Sequence, residues 1–347
     1  MKKVTVIGCG AWGMALASHL AGLGHSVLVW AHDEGVRDSL RKERALPKVF
    51  PGITFPEYIR YTCDMEEAVT GRDLLVFAVA SPFTRSTAER FAPYIADGQK
   101  IVSVTKGIED KTLMTQTQIL RSVLPNTRIA ALSGPTHAEE VIRSKPTLIV
   151  AASPDRELAE YVQDLFIAPY FRVYTSPDEL GVEIGGSLKN VIALAAGMID
   201  GLGTGDNSKA AIITRGMYEM RALAEKMGAM DETITGLSGI GDLIVTCMSV
   251  HSRNHRAGEL IGQGLSVEEA MEQVGQVVEG YYSAKSAMGL AEKYGASLPI
   301  TAEINRILFE GKSPQDALVD LMLRDRKMES VFRQEDLPEC WKNDSSH

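Results

Sequence analysis

An α/β N-terminal domain built on a mostly parallel, Rossmann-like sheet, followed by a mostly α-helical C-terminal domain, is the fold this sequence predicts. Three observations point to it. Short, β-branched apolar runs alternate with longer amphipathic stretches through the first half of the chain. A glycine-spaced turn, Gly8-Cys9-Gly10-Ala11-Trp12-Gly13, joins the first apolar run to the first amphipathic stretch. Beyond about residue 180, strand-like runs nearly vanish and helical periodicity takes over.

The strand-like runs lie at 4–7, 27–30, 74–79, 101–105, 129–132, 147–150 and 171–174. They are nearly continuous in apolar residues, and segments such as 13–23 and 84–95 between them carry helical spacing. That combination predicts parallel strands covered on both faces. Ser176-Pro177-Asp178 breaks the last run, which places a domain boundary within 175–180. Helical patterns then occupy 182–199, 207–227, 267–274, 281–294, 299–309 and 314–322. The expected division is a dinucleotide-binding domain over 1–180, a helical substrate and catalytic domain over 181–333, and a polar tail over 334–347. A chain of 347 residues that is 45% hydrophobic exceeds what one core organises and suits two.

The formal net charge is −9 and no polybasic run occurs, so no nucleic-acid partner is expected. Cys9, Cys63, Cys247 and Cys340 are scattered without a paired spacing. They read as reduced thiols of a cytoplasmic protein, with neither a disulfide framework nor a metal site. The start, Met1-Lys2-Lys3-Val4-Thr5-Val6-Ile7, is too short in apolar residues for a secretory signal and reads as a first strand. No run of 18 apolar residues occurs, so no integral membrane association is expected.

The turn from Gly8 to Gly13 fits a pyrophosphate cradle: Gly8 for the tight turn, Gly10 for close approach of the anion, Gly13 for packing of helix on strand. The backbone N–H groups at the helix start, Ala11 among them, then face the phosphates. The second strand ends Val29-Trp30-Ala31-His32-Asp33. Asp33 comes a few residues late for the acid that holds ribose hydroxyls in NAD-binding versions. His32 accommodates a 2′-phosphate, which favours NADP, with NAD the alternative.

Lys189 is the residue most suggestive of chemistry. It interrupts Gly185-Gly186-Ser187-Leu188-Lys189-Asn190-Val191-Ile192-Ala193, a small and apolar run. On a helix its neighbours are Gly185, Gly186, Ile192 and Ala193, so its ammonium meets close-packed backbone or a cleft. A buried lysine must find a partner or release its proton more easily, which suits proton exchange near neutral pH. Snorkelling to solvent is the structural alternative. Lys106 and the turn Gly134-Pro135-Thr136 fall at strand ends, where ligands bind in open α/β sheets. His137 follows that turn, and a lone histidine is more often structural. Asp242, after a glycine-rich turn, suits an ammonium, a substrate hydroxyl or a helix cap. Ser252-Arg253-Asn254 offers a planar donor fork with neutral donors, as phosphate requires, or else a basic surface loop.

Taken together, Gly8-x-Gly10-x-Trp12-Gly13, Thr105-Lys106-Gly107, the segment from Ser133 to Glu140, Leu188-Lys189-Asn190, the segment from Ser238 to Leu243, Ser252-Arg253-Asn254 and Val278-Glu279-Gly280 closely resemble the bacterial-type NAD(P)-dependent sn-glycerol-3-phosphate dehydrogenases. The resemblance runs from Gly8 to about Phe309. It implies reduction of dihydroxyacetone phosphate to sn-glycerol 3-phosphate by reversible hydride transfer from NAD(P)H, feeding glycerophospholipid synthesis. It implies Lys189 as the proton donor and acceptor, and Lys106 as shared between substrate and cofactor. Gly134, Thr136, Asp242, Ser252, Arg253 and Asn254 would join these two lysines at the substrate. Trp12, His32, Ala138, Arg253, Val277 and Glu279 would touch the cofactor. Ala11 departs from the family's frequent Ser or Thr, which removes a hydroxyl contact to phosphate, and Met14 stands where Thr is usual.

Two rival readings use the same residues. A β-hydroxy acid dehydrogenase shares the two-domain layout and a Lys–Asn site, but Ser252-Arg253-Asn254 with Gly239-Ile240-Gly241-Asp242 distinguishes this chain from it. A non-catalytic NAD(P) redox sensor would need the glycine cradle alone, without Lys189, Lys106 and Arg253. The glycine- and alanine-rich helices are compatible with a homodimer.

Overall fold

The computed structural model describes residues 1–326 together with Met328 and Glu329. Eight strands form one sheet: β1 (Lys3–Ile7), β2 (Ser26–Trp30), β3 (Arg60–Thr62), β4 (Leu74–Phe77), β5 (Lys100–Ser103), β6 (Arg128–Ser133), β7 (Thr147–Ala152) and β8 (Phe171–Ser176). Their order is β3-β2-β1-β4-β5-β6-β7-β8, parallel throughout except that β6 and β7 run antiparallel. Helix α1 (Ala11–Gly22) follows β1 directly. The order turns back between β1 and β4, which opens a crevice at the carboxyl ends of these two strands.

The alternation of side chains explains why the sheet is covered on both faces. Val4 and Val6 of β1, with Leu74 and Val76 of β4, join the core under α1, while Ile7, Leu75 and Phe77 join the core on the other face. Even polar Thr5 is buried, its hydroxyl donating to the Ala68 carbonyl at 2.5 Å.

The second half is organised around α2 (Glu179–Leu202). Asp178 caps its start by accepting from the Gly181 N–H at 2.8 Å, and Gly203, with φ 67°, ends it. This helix is long and apolar enough to cross a membrane, yet its apolar stretch is entirely buried by protein. Around it pack Asp206–Lys226, α3 (Asp242–Met248), α4 (Arg253–Gly262), α5 (Glu279–Tyr294) and Pro299–Glu310. The closest approach is backbone to backbone. A Cβ on Gly197 or Gly201 of α2 would lie 2.0 Å or 2.2 Å from a carbonyl of α4, and one on Gly258 of α4 would lie 2.0 Å from the Leu194 carbonyl.

Several sequence expectations need correction. β4 ends at Phe77 and β5 at Ser103, earlier than the apolar runs suggested, because beyond Ala78 and Val104, whose N–H groups still bond to the Ile7 and Phe77 carbonyls, the apolar residues continue into turns that line the crevice. β3 is an edge strand of three residues, too short to show alternation. The helix Glu34–Glu43 was missed because it buries Leu40 alone. α3 is the helix expected after the glycine-rich turn, whereas α4 begins within 251–256, read as a donor fork or a basic loop. Asp242 does not cap α3: it is that helix's first residue, and Gly241 takes the capping position. The tail expected over 334–347, and Cys340 with it, lie outside the described residues.

The contact between α2 and α4 predicts opposite effects for two alanines. Gly258→Ala drives a methyl into the Leu194 carbonyl and should destabilise by roughly 1–3 kcal/mol. Gly22→Ala, at an exposed position where a Cβ meets nothing within 4 Å, should stabilise by about 0.5–1 kcal/mol. Urea unfolding monitored by circular dichroism reads both, and a Gly258→Ala midpoint at or above wild type would refute the packing argument.

Candidate active site

A cleft of about 400 Å³ separates the carboxyl edge of the sheet from the helical half. Of the residues singled out in the sequence, Gly10, Ala11, Trp12, Lys106, Thr136, Ala138, Lys189, Ser252, Arg253, Asn254, Val277 and Glu279 line it. Gly8, Gly13, Gly134 and Asp242 stand behind that lining and hold it in place; His32 lies outside it.

At the cleft's inner wall one carboxylate serves two lysines. Asp242 Oδ1 accepts from Lys189 Nζ at 2.6 Å, and Oδ2 accepts from Lys106 Nζ at 2.6 Å. Lys189 also donates to Thr246 Oγ1 at 2.6 Å, and Lys106 to the Gly134 carbonyl at 3.0 Å. An ammonium has three donors, so each lysine keeps one N–H for a ligand. The snorkelling alternative for Lys189 does not apply, since its side chain is only 7% exposed. Burial, opposed by Asp242 and reinforced by the nearby Lys106 charge, lowers the Lys189 ammonium to about 8.

Local backbone explains the placement of these groups. A π-helical turn, Leu237–Gly241, runs straight into α3 and delivers Asp242 to the cleft. This turn passes close to α2, where a Cβ on Gly185 would lie 2.6 Å from the Ser238 carbonyl. Thr246 comes one helical turn after Asp242 and so shares its face. Lys106 follows β5, and Thr105 Oγ1 fixes that exit by donating to the Val79 carbonyl at 2.8 Å.

Ser252 caps α4 by accepting from the His255 N–H at 3.2 Å, and its own hydroxyl proton stays free. Arg253 is exposed in the first turn, where the helix start also favours an anion. Asn254 is tied back: it donates to Asn190 Oδ1 at 2.9 Å and accepts from the Gly280 N–H at 2.8 Å. His137 and His251 both line the cleft, with ring centroids 5.9 Å apart. Burial first and Lys189's charge second hold His137 at about 4, so it is neutral at pH 7.

The dinucleotide end fits its expected occupant. Gly8 has φ 115°, and a Cβ there would lie 2.5 Å from the Ala78 carbonyl. One on Gly13 would lie 2.2 Å from the Gly8 carbonyl. Gly10 is different, for a Cβ there meets nothing within 4 Å. Protein packing does not require that glycine; the room beside it, in front of an α1 start without a side-chain cap, is where a phosphate belongs. His32 is exposed just past β2, whose end is tied to the cradle by Gly8 N–H donating to the Trp30 carbonyl at 3.1 Å. Asp33 is already engaged, capping Glu34–Glu43 through the Val36 N–H at 2.9 Å.

The sequence reasoning did not single out Ser81, Ser187, Thr246 or His251. Thr246 was within reach, four residues beyond Asp242. Ser81 and Ser187 depend on contacts across the two halves and carry no local signal.

Two family models match consecutive parts of the chain. One, described as NAD-dependent glycerol-3-phosphate dehydrogenase N-terminus, covers residues 3–159; the other, described as the C-terminus of the same enzyme, covers 178–319. A protein of Agathobacter rectalis named glycerol-3-phosphate dehydrogenase (NAD(P)+) is 55% identical over 329 residues, which is 95% of this chain and 98% of that one. One of the same name from Fusobacterium nucleatum is 50% identical over 331 residues, covering 95% and 99%. The crystal structure of glycerol-3-phosphate dehydrogenase from Coxiella burnetii superimposes with a TM-score of 0.90 at 35% identity, covering 93% of this chain and 99% of that one.

Proposed function

The chain belongs to the NAD-dependent glycerol-3-phosphate dehydrogenase family, and from that membership we propose how its own side chains carry the reaction. The reaction is reversible reduction of dihydroxyacetone phosphate to sn-glycerol 3-phosphate with NADH or NADPH. The observation that supports the assignment of roles most strongly is the Lys189–Asp242–Lys106 cluster, buried at Lys189 and Asp242 and half-buried at Lys106, opening onto a cleft that begins at the glycine cradle.

When bound along Gly8 to Gly13, NAD(P)H supplies the hydride for the carbonyl carbon. Lys189 directs its remaining N–H at the carbonyl oxygen, stabilises the charge that grows there and donates the proton. Lys106 reinforces that field from the sheet side. Asp242 keeps both ammoniums aimed, and Thr246 fixes the rotamer of Lys189. Arg253, the Ser252 hydroxyl and the start of α4 hold the phosphate, with Asn254 bracing the loop. Thr136 and Gly134 close the substrate's other side. Ala138, Val277, Trp12 and Glu279 pack along the cofactor, and His32 sits where a 2′-phosphate would extend. In this scheme residues 1–180 supply most of the cofactor's contacts and 181–333 most of the substrate's, with Lys106, Gly134 and Thr136 reaching the substrate from the first and Val277 and Glu279 reaching the cofactor from the second. The rival reading as a β-hydroxy acid dehydrogenase lacks a use for Arg253 at the head of α4.

The protein acts in the cytoplasm in this reading. The glycine-rich faces first taken as candidates for self-association pack between α2 and α4. A homodimer would instead use exposed Ile244, Met248 and Val250.

Lys189→Ala should lower turnover roughly 100-fold or more, whereas Arg253→Ala should chiefly raise KM for dihydroxyacetone phosphate; near-normal turnover in the first or an unchanged KM in the second would count against the assigned role. Because Lys189 must carry its proton to donate it, reduction should fall as pH rises through about 8, and a flat profile from pH 7 to 9 would contradict the assignment. Specificity constants should favour NADPH over NADH, with His32→Ala narrowing the gap, and a large preference for NADH would reverse the cofactor reading. Sedimentation velocity should give a dimer that Met248→Glu weakens, and a wild-type monomer at micromolar concentration would remove that proposal.

A further inference from the structure

Glu279 is held from the opposite half of the molecule. It begins α5 in the helical half, whereas Ser81 begins the short turn Ser81–Phe83 beyond β4. The Ser81 hydroxyl donates to Glu279 Oε2 at 2.5 Å, and the Ser81 N–H donates to Oε1 at 3.3 Å. Glu279 itself lines the cleft together with Val79 and Ala80, the residues that lead into Ser81. Gly107 makes room for this pair: it has φ 147°, and a Cβ there would lie 2.5 Å from both Cβ and Oγ of Ser81 and 3.4 Å from Glu279 Oε2.

A glutamate at the mouth of a cleft has several rotatable bonds, and unrestrained it would sample many positions. Here a short turn fixes both of its oxygens. A carboxylate accepts about four hydrogen bonds, and Ser81 fills two of the four. Two positions remain on a carboxylate that lines the cleft with Val79 and Ala80, beside Gly107. We propose that Ser81 is a positioning residue for cofactor binding: across the joint between the halves it aims the Glu279 carboxylate so that its two open acceptor positions take N–H or O–H donors of the bound dinucleotide. Ser81 touches no reacting atom, and its influence passes through Glu279 alone. This deepens the dehydrogenase reading and rests on it only for the identity of the ligand.

The test is a double-variant cycle on the full-length protein. NADPH is titrated by its fluorescence into wild type, Ser81→Ala, Glu279→Ala and the double variant, without substrate, and steady-state constants with dihydroxyacetone phosphate are measured alongside. Losing one hydrogen bond to a charged group should weaken NADPH binding on the order of tenfold in Ser81→Ala, with KM for dihydroxyacetone phosphate within about twofold of wild type by the same reasoning. In the Glu279→Ala background, adding Ser81→Ala should change the NADPH dissociation constant no further. A purely structural serine would weaken both backgrounds equally, and that result, or an unchanged dissociation constant in Ser81→Ala, overturns the proposal. If wild type binds NADPH but fails to reduce dihydroxyacetone phosphate, the dehydrogenase reading falls, while the cycle still decides the role of Ser81.

Discussion

One carboxylate shared between a buried and a half-buried ammonium governs this molecule. Removing Asp242 and Lys189 from water costs several kcal/mol per ion, and attraction within the cluster, to which half-buried Lys106 adds, offsets that cost only because the geometry is close and the spare hydrogen bonds are met by Thr246 and Gly134. Stability alone would favour apolar residues at these positions. The arrangement leaves one net positive charge facing a cleft whose other visitors are phosphates. His137 adds no further charge, since burial keeps it neutral. The field in the cleft is therefore set by this net charge together with Arg253, Glu139 and Glu279, which also line it, in a place where water cannot screen it well.

That ion cluster bridges the two halves, and it has company. Gly107 N–H donates to Ser187 Oγ at 2.9 Å, Ser238 Oγ donates to the Ser133 carbonyl at 3.2 Å, and Thr117 N–H donates to Glu183 at 2.9 Å. Arg121 grips Glu179 through both of its carboxylate oxygens. Each link joins the half that carries the sheet, from a strand end, a following loop or the helix Gln116–Val123, to α2 or to the turn that leads into α3. Polar bonds with defined directions therefore fix the width of the cleft. Apolar packing, which tolerates sliding, is concentrated within each half.

Much of this was legible in the sequence, and the reasons are specific. Continuous apolar runs exposed most strands of the sheet, because strands buried on both faces need apolar residues at every position. The Gly8 to Gly13 cradle was readable because backbone geometry itself demands glycine at Gly8 and Gly13. Lys189 was readable because a charge inside a small-residue helix is costly and so has a reason to be there. Ser81 and Ser187 were not, since a serine looks alike whether it faces water or clamps a distant backbone. Asp33, already a few residues late for a ribose ligand in the sequence, is engaged elsewhere: it caps the next helix. α4 was hidden because its buried face is largely Ala257, Gly258 and Ile261, so backbone contact replaces the apolar stripe that periodicity detects.

The clamp on Gly107 has a mechanical consequence. Ser187, which grips the backbone next to Lys106, and Lys189, which carries the second amine, stand two residues apart on α2. Gln116 holds the next peptide, donating to the Gly107 carbonyl at 2.8 Å. The separation of the two nitrogens is thereby written into half a turn of one helix. Rocking of the bundle against the sheet would strain this strut before it changed the gap between the two amines.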